Sequence, residues 1–306
     1  MAEPVTGPHT GRARLLIVLV PYAWLLLFFL APFLIVVKMS LSETAIAMPP
    51  YTPVFEGFSR IGDFLSQLSF DNFTALTEDP LYIDSYLSSL KIAAISTLLL
   101  LLIGYPMALA MARARSDLRP ALVMMVILPF WTSFLIRVYA WIGILKPEGL
   151  LTLLLQHLHI LGPDQQVHIY QTPIAVYIGI VYSYLPFMVL PLYSALEKLD
   201  GTLLEAASDL GCPPLKAFWR ITFPLSLPGV LAGAMICFIP ITGEFVIPDL
   251  LGGADTLMIG KTLWTEFFGN RDWPLSSAVA VVLLILLVVP IALFQNMQSR
   301  VGGVEK

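Results

Sequence analysis

Two ionisable side chains stand inside otherwise uncharged apolar runs. Glu244 follows a run that opens at Ile221, and it lies between Pro240 and Pro248. Arg137 sits within Ala121–Leu145. A central acid costs about 2.5–3.5 kcal/mol on insertion scales, so such a residue usually faces a cavity or a partner. The two prolines remove backbone donors, so a bend or break is expected around the acid, with freed carbonyls lining a polar path. A carboxylate there suits a cationic solute, and Glu244 is the first candidate for contacting one. The competing reading is a structural salt bridge or a place near the interface. Arg137 would repel a cation. It reads as structural, paired with Glu244 or another acid, or stacked on Trp141 one turn away. Pairing with Glu244 would weaken the pathway reading.

Trp131, Tyr139 and Trp141 lie in the same run as Arg137, and Tyr182 and Tyr184 lie in the next. An ammonium over an aromatic face gains about 0.5–2 kcal/mol. The same rings also fit an interfacial belt or plain packing. The pathway candidates are therefore Glu244, Trp131, Tyr139, Tyr182, Tyr184 and Asp249. No catalytic group and no metal site is expected. Cys212 and Cys237 fall at different depths, and His157 and His159 point different ways on a helix. A Gly-x-x-x-x-Gly-Lys-[Ser/Thr] phosphate loop is absent from the sequence, so this chain is not expected to hydrolyse ATP.

The elements that position these residues are apolar throughout. The chain has 306 residues, 58% hydrophobic and 12% charged, against about a quarter charged in soluble domains. Six windows of roughly 20 residues could cross a bilayer: about 15–37, 92–111, 121–145, 172–196, 221–247 and 275–294. Only helices satisfy their own backbone within one such segment. The expected fold is an all-α integral membrane protein with six transmembrane helices. The first run follows Arg12 and Arg14 but is long for a signal core, with no small-x-small cleavage site after it, so it reads as a retained span. Residues 1–14 and 297–306 read as tails. Helical pieces within 55–76 are expected to lie on the outer surface, and Leu150–Leu161 is too short to span.

Six spans put both termini on one side. That side carries ten Lys and Arg against five on the other, which makes it cytoplasmic by the positive-inside rule. The outer side carries thirteen acids against those five bases. An acidic outer face attracts cations, although outer loops are poor in Lys and Arg for topological reasons as well.

Between the fourth and fifth runs lies a polar stretch, residues 202–224. Thr202 and Glu205 fit a capping box. Gly211 is a natural left-handed stop, and Pro213 and Pro214 prevent continuation. A second short helix is expected over Leu215–Thr222, with Pro224 and Pro228 opening the fifth span. The result is a bent helical hairpin at the cytoplasmic surface.

Glu205-Ala-Ala, three residues, Gly211, nine residues, Ile221, two residues and Pro224 resemble the signature of bacterial ABC importer permeases. Phe223 stands where that family usually has Leu. The resemblance continues in Asp71-Asn72-Phe73, in Gly104-Tyr105-Pro106 and in the basic turn from Arg113. The stretches 128–141, 243–253, 259–264 and 270–274 look like polyamine permeases, closest to those for putrescine, and the likeness covers roughly residues 15–295. It implies an ABC type I importer bundle with a cytoplasmic coupling hairpin, in which Glu205, Ala206, Ala207 and Gly211 couple to the ATPase. It also implies an ATPase dimer that binds ATP and Mg, a second homologous permease and a periplasmic polyamine-binding protein. The location implied is the bacterial inner membrane, with no nucleic acid involved and with putrescine favoured over spermidine. The alternatives are another small solute in the same machine, an ATPase-independent channel or secondary transporter, and a structural scaffold.

Overall fold

The structure is a computed structural model that describes residues 11–54, 61–254 and 256–302. It divides into two units, residues 1–78 with 266–282, and residues 79–265 with 283–306. In the first unit, α1 (Gly11–Leu25) runs through a π turn, Leu26–Leu30, into α2 (Ala31–Ser40). None of the most apolar window of this rod is buried within the chain. A two-stranded antiparallel ribbon follows, β1 (Glu43–Thr44) on β2 (Tyr51–Thr52). The Lys38 ammonium lies 4.0 Å from the Tyr51 ring centroid and also donates to the Pro53 carbonyl, which ties the ribbon to the end of α2. Then come α3 (Ile61–Ser66) and α4 (Asp71–Glu78). Asn72 donates to the carbonyls of Ser40 and Ser42 at 2.9 and 2.7 Å, anchoring α4 to the same helix end. Part of the surface stretch expected over 55–76, residues 55–60, lies outside the described residues.

The second unit opens with α5 (Pro80–Arg113), capped by Asp79, whose carboxylate accepts the Leu81 N–H at 2.8 Å. The third apolar run is not one straight rod. It is α6 (Arg119–Ile127), a 3₁₀ turn over Leu128–Trp131 and α7 (Phe134–Leu145), bent by 87°. Pro129 removes a donor, and Thr132 is extended. Beyond α8 (Leu150–His157), α9 (Pro173–Glu197) crosses, with Thr172 as its cap. Next come α10 (Thr202–Asp209), α11 (Pro214–Ala217) and α12 (Phe223–Thr242). A π turn, Phe218–Thr222, joins the last two into one rod of 29 residues. The expected separate second helix of the hairpin is therefore continuous with the fifth span, because Pro224 falls just after a widened turn instead of ending the helix. Two short helices, α13 (Val246–Leu251) and α14 (Ile259–Trp264), precede α15 (Trp273–Gly302), which passes through both units.

The core of the second unit is the contact among α5, α9 and α12, filled by Leu100, Ile180, Met188, Leu192 and Ile241. Lipid is as apolar as Leu, so helices gain by close backbone approach at small residues. Gly229 and Gly233 supply it. A Cβ on Gly229 would lie 2.5 Å from the Ala195 Cβ and 2.9 Å from the Pro191 carbonyl, and one on Gly233 would lie 2.9 Å from the Met188 sulfur. Tyr105 and Ser226 share a buried hydrogen bond of 2.8 Å between α5 and α12.

Gly229→Ala should therefore lower stability by about 1–3 kcal/mol through overpacking. Gly143→Ala, where an added Cβ meets nothing within 4 Å, should be neutral or slightly stabilising. Denaturant unfolding in detergent micelles reads the difference.

Candidate functional site: a broken helix with a buried carboxylate

The rod that begins at Pro214 stops at Thr242, and α13 starts four residues later. The first backbone donors of α13 need acceptors, and in hydrocarbon no water supplies them. Glu244 does. Its Oε1 accepts the N–H groups of Val246 and Ile247 at 3.0 and 3.4 Å. Its Oε2 accepts the Tyr184 hydroxyl from α9 at 2.6 Å. The side chain is 9% exposed. A carboxylate at a helix start also meets the positive end of the helix dipole. Three donors leave part of its four-site acceptor capacity free for a further donor.

The break is packed closely. Gly260, in the first turn of α14, stands against the carbonyls of Gly243 and Glu244, where a Cβ would clash with both. The Phe245 ring stacks on Trp264 at 4.5 Å. Ser89 on α5 accepts the Ile259 N–H at 2.7 Å, and Ser85 shares a 3.1 Å bond with Thr262.

Tyr184 also lines a cavity of about 490 Å³ between α7, α9 and α12. The other walls are Phe130, Thr132, Phe134, Ser183, Phe187, Ile236 and Pro240, and the charged residue within it is Arg137. Arg137 is only 8% exposed, and its Nε and Nη1 have no hydrogen-bond partner. Among the described residues no carboxylate pairs with it. The expected contacts with Glu244 and Trp141 do not form. The guanidinium instead lies over Phe130 and Phe134, 5.2 and 5.8 Å from their centroids. Phe134 is one turn before Arg137 on α7, and Phe130 reaches it across the 87° elbow. Two such contacts recover about 0.5–2 kcal/mol each, comparable with the insertion cost of an arginine.

Of the six pathway candidates, the structure brings together Glu244 and Tyr184. Tyr182 is two residues from Tyr184 and so points the other way. It packs edge-on to Trp141 at 5.3 Å and lines a separate apolar pocket with Met107 and Met125. Trp131, at the elbow, is 72% exposed, and Tyr139 is exposed on α7. Asp249 is exposed and lies 3.6 Å from Lys261. Sequence reasoning missed Phe130, Phe134 and Phe187. The signal was there in Phe130, Phe134 and Arg137, whose spacing of four and then three residues puts them on one helical face.

The hairpin is well defined. Cys212 N–H bonds to the Ala207 carbonyl at 2.9 Å and Gly211 N–H to Ser208 at 2.8 Å, with Gly211 at φ +70, which is a Schellman stop. The expected capping box does not form. Asp200 accepts the Thr202 N–H at 3.0 Å, because a short side chain two residues upstream reaches that donor first. Its bonds to Thr202, backbone and side chain, hold the Asp200 carboxyl below the usual carboxylate range, so this cap is present at neutral pH and is lost only as pH falls through that lowered value. Glu205 and Ala206 are exposed, Ala207 is buried, and two apolar tips project, Leu210 at 88% and Leu215 at 72%.

Long packed helices, a broken helix before the site and a short exterior hairpin define a membrane permease of the ABC type I importer fold. Solved structures with this architecture include a bacterial alginate ABC transporter in complex with its periplasmic protein. There the TM-score is 0.70 at 19% identity, covering 95% of this chain and 96% of that one. The MetNI methionine ABC transporter, in inward-facing conformations, gives 0.54 at 17% identity over 72% and 96%. The chain belongs to the family described as the binding-protein-dependent transport system inner membrane component, whose model matches residues 101–302. It is 39% identical to the spermidine/putrescine transport system permease protein PotB of Haemophilus influenzae, over 89% of this chain and 90% of that protein. It is 45% identical to PotB of Escherichia coli over 71% and 78%. It is also 31% identical to the molybdenum transport system permease protein ModB of Mycobacterium bovis over 72% and 81%.

Tyr184→Phe removes a hydrogen bond to a charged acceptor and should cost about 1.5–3 kcal/mol of stability. Thermal unfolding of the detergent-solubilised protein reads this, and an unchanged midpoint would remove Tyr184 from the support of Glu244.

Proposed function

We propose that this chain is one transmembrane subunit of an ATP-driven importer for polyamines. Its termini lie in the cytoplasm, and cargo passes from periplasm to cytoplasm by alternating access. The observation that carries the cargo class is the 39% identity to a spermidine/putrescine permease across 89% of the chain. The buried Glu244, with acceptor capacity left over, supports a cationic cargo. The paired names of the relatives widen the sequence expectation of putrescine to both polyamines. Selection between the two belongs to the binding protein, which meets cargo first.

The partners are a cytoplasmic ATPase dimer that binds ATP and Mg, a second permease and a periplasmic binding protein. Glu205, Ala206 and Gly211 form the surface that meets the ATPase, and the buried Ala207 packs beneath it. The exposed tips at Leu210 and Leu215 support this, because apolar side chains on a polar hairpin gain by entering a partner's cleft. The rigid Schellman stop lets the hairpin transmit a push.

A second reading is an anion such as an oxyanion as cargo. The buried, unpaired Arg137 and the 31% identity to a molybdenum permease favour it.

Uptake into liposomes holding the neighbouring operon products separates the two. Polyamine uptake that depends on ATP supports the first, and molybdate uptake without polyamine uptake overturns it. Glu244→Gln keeps the acceptor for Val246 and Ile247 and removes the charge. It should cut polyamine uptake by at least about tenfold, roughly 1.4 kcal/mol, while the complex still assembles. Gly211→Val places a β-branched residue at φ +70, at a cost of about 1–2 kcal/mol. ATP-driven uptake should fall while the total helix content, read by circular dichroism, is unchanged.

A further inference from the structure

Arg137 is the charged residue in the wall of the cavity between α7, α9 and α12, and it is 8% exposed. Its Nε and Nη1 are sealed within the chain and have no acceptor, which leaves Nη2 as the nitrogen open to the cavity. The rings of Phe130 and Phe134 offset part of the cost of burying the charge. They do not replace an oxygen acceptor, because a guanidinium directs its N–H bonds within its own plane and matches a carboxylate best. Among the described residues no carboxylate pairs with it. Glu244 is tied to Tyr184 and to two backbone donors. With the guanidinium in its wall, the cavity still has about 490 Å³ of free space. A lone positive wall repels cations and attracts an acceptor, so that space is fitted to an anionic group.

We propose that this cavity receives the carboxylate of an Asp or Glu of the second permease subunit, which pairs with Arg137 across the interface between the two chains. Depth separates this occupant from a lipid phosphate. Tyr184, in the cavity wall, stands about 17 Å from one end of α9 and about 20 Å from the other, at 1.5 Å per residue. Half of a hydrocarbon core is about 15 Å, so a headgroup does not reach this level. Acyl chains reach it but bring no acceptor. The rim residues Phe187 and Ile236 are 41% and 47% exposed, so a helix packed on them brings its side chains to Nη2. A second copy of this chain is a poor source of the acid. The acid within its apolar runs is Glu244, which is 9% exposed and would have to leave its own break to enter another chain. A different chain is needed to bring a spare carboxylate. The pair also cancels the charge that would repel a cationic cargo approaching Glu244. The inference rests on the proposed second permease and not on the identity of the cargo.

The test compares the full chain alone, in detergent micelles, with the complex purified from the neighbouring operon products. Arg137→Met keeps an unbranched apolar stem against the rings and removes the charge. In the complex it strands the partner's acid without its cation. The unfolding midpoint should fall by about 4 °C or more, and the second permease that co-purifies should fall at least about tenfold. In the chain alone the same change removes a buried charge that has no carboxylate, so the midpoint should stay or rise. Replacing the membrane acids of the second permease by Leu or Met, one at a time in the Arg137→Met background, should restore the complex at one position. A variant complex as stable as the native one, or no restoring position, overturns the pairing and leaves the importer reading standing. A chain that assembles with no second permease removes both. Acetate or molybdate that raises the native midpoint by about 2 °C or more over chloride at equal ionic strength marks a cavity open to free anions, and overturns the proposal. Should Arg137→Met unfold the chain alone, benzoylphenylalanine placed at Ile236 in the native background reads the same contact by photo-cross-linking. The product should be the second permease, joined at a segment that carries an Asp or Glu. A product with a second copy of this chain, a segment without an acid, or no product overturns the proposal.

Discussion

Every backbone donor that this chain frees within the apolar region has to find an acceptor in the protein. Long helices meet that demand by themselves. The demand becomes acute only where a helix stops at depth, and at Gly243–Phe245 it is met by Glu244. The acid is therefore not simply tolerated there. Without its Oε1, the N–H groups of Val246 and Ile247 would be unpaired at the start of α13, and without Tyr184 its second oxygen would lose a strong donor. Gly260 then closes on the break, and α14 is held to α5 by Ser85 and Ser89. A whole region of the second unit is arranged around one carboxylate. The same carboxylate keeps acceptor capacity for one further donor, so the proposed path would draw on the side chain that holds the fold.

The elbow between α6 and α7 has the complementary role. It interrupts an apolar run at Pro129 and turns the chain by 87°. Across that turn Phe130 lies 5.2 Å from the guanidinium of Arg137, seven residues further on. The two charges of the membrane region thus come to lie on either side of Tyr184, one held by donors and the other by rings.

Much of this was legible in the residues. Uncharged runs gave the all-α membrane class, the prolines flanking Glu244 foretold the break, and Gly211 foretold the left-handed stop. The geometry of the aromatic residues was not legible. Tyr182 and Tyr184 carry the same chemistry and lie two apart, and only the phase of α9 decides that one faces Glu244 and the other Trp141. The Thr202–Glu205 pattern fitted a capping box, but Asp200 competed for the same donor and is shorter. The Gly229-x-x-x-Gly233 spacing carried a helix-packing signal that went unread, because glycine in a proline-rich run looks first like a bend.

The π turn at Phe218–Thr222 makes the hairpin and the fifth span one continuous rod of 29 residues, about 43 Å at 1.5 Å per residue. Gly229 and Gly233 press the middle of that rod against α9, and Glu244 stands just past its far end. Such a rod is a lever with its fulcrum near mid-length. A sideways displacement of a few ångströms at Pro214–Ala217 would reappear, reversed in direction and similar in size, at the break that holds the carboxylate. The arms are nearly equal, so the hairpin has no mechanical advantage over the site, and what it gains instead is fidelity of stroke.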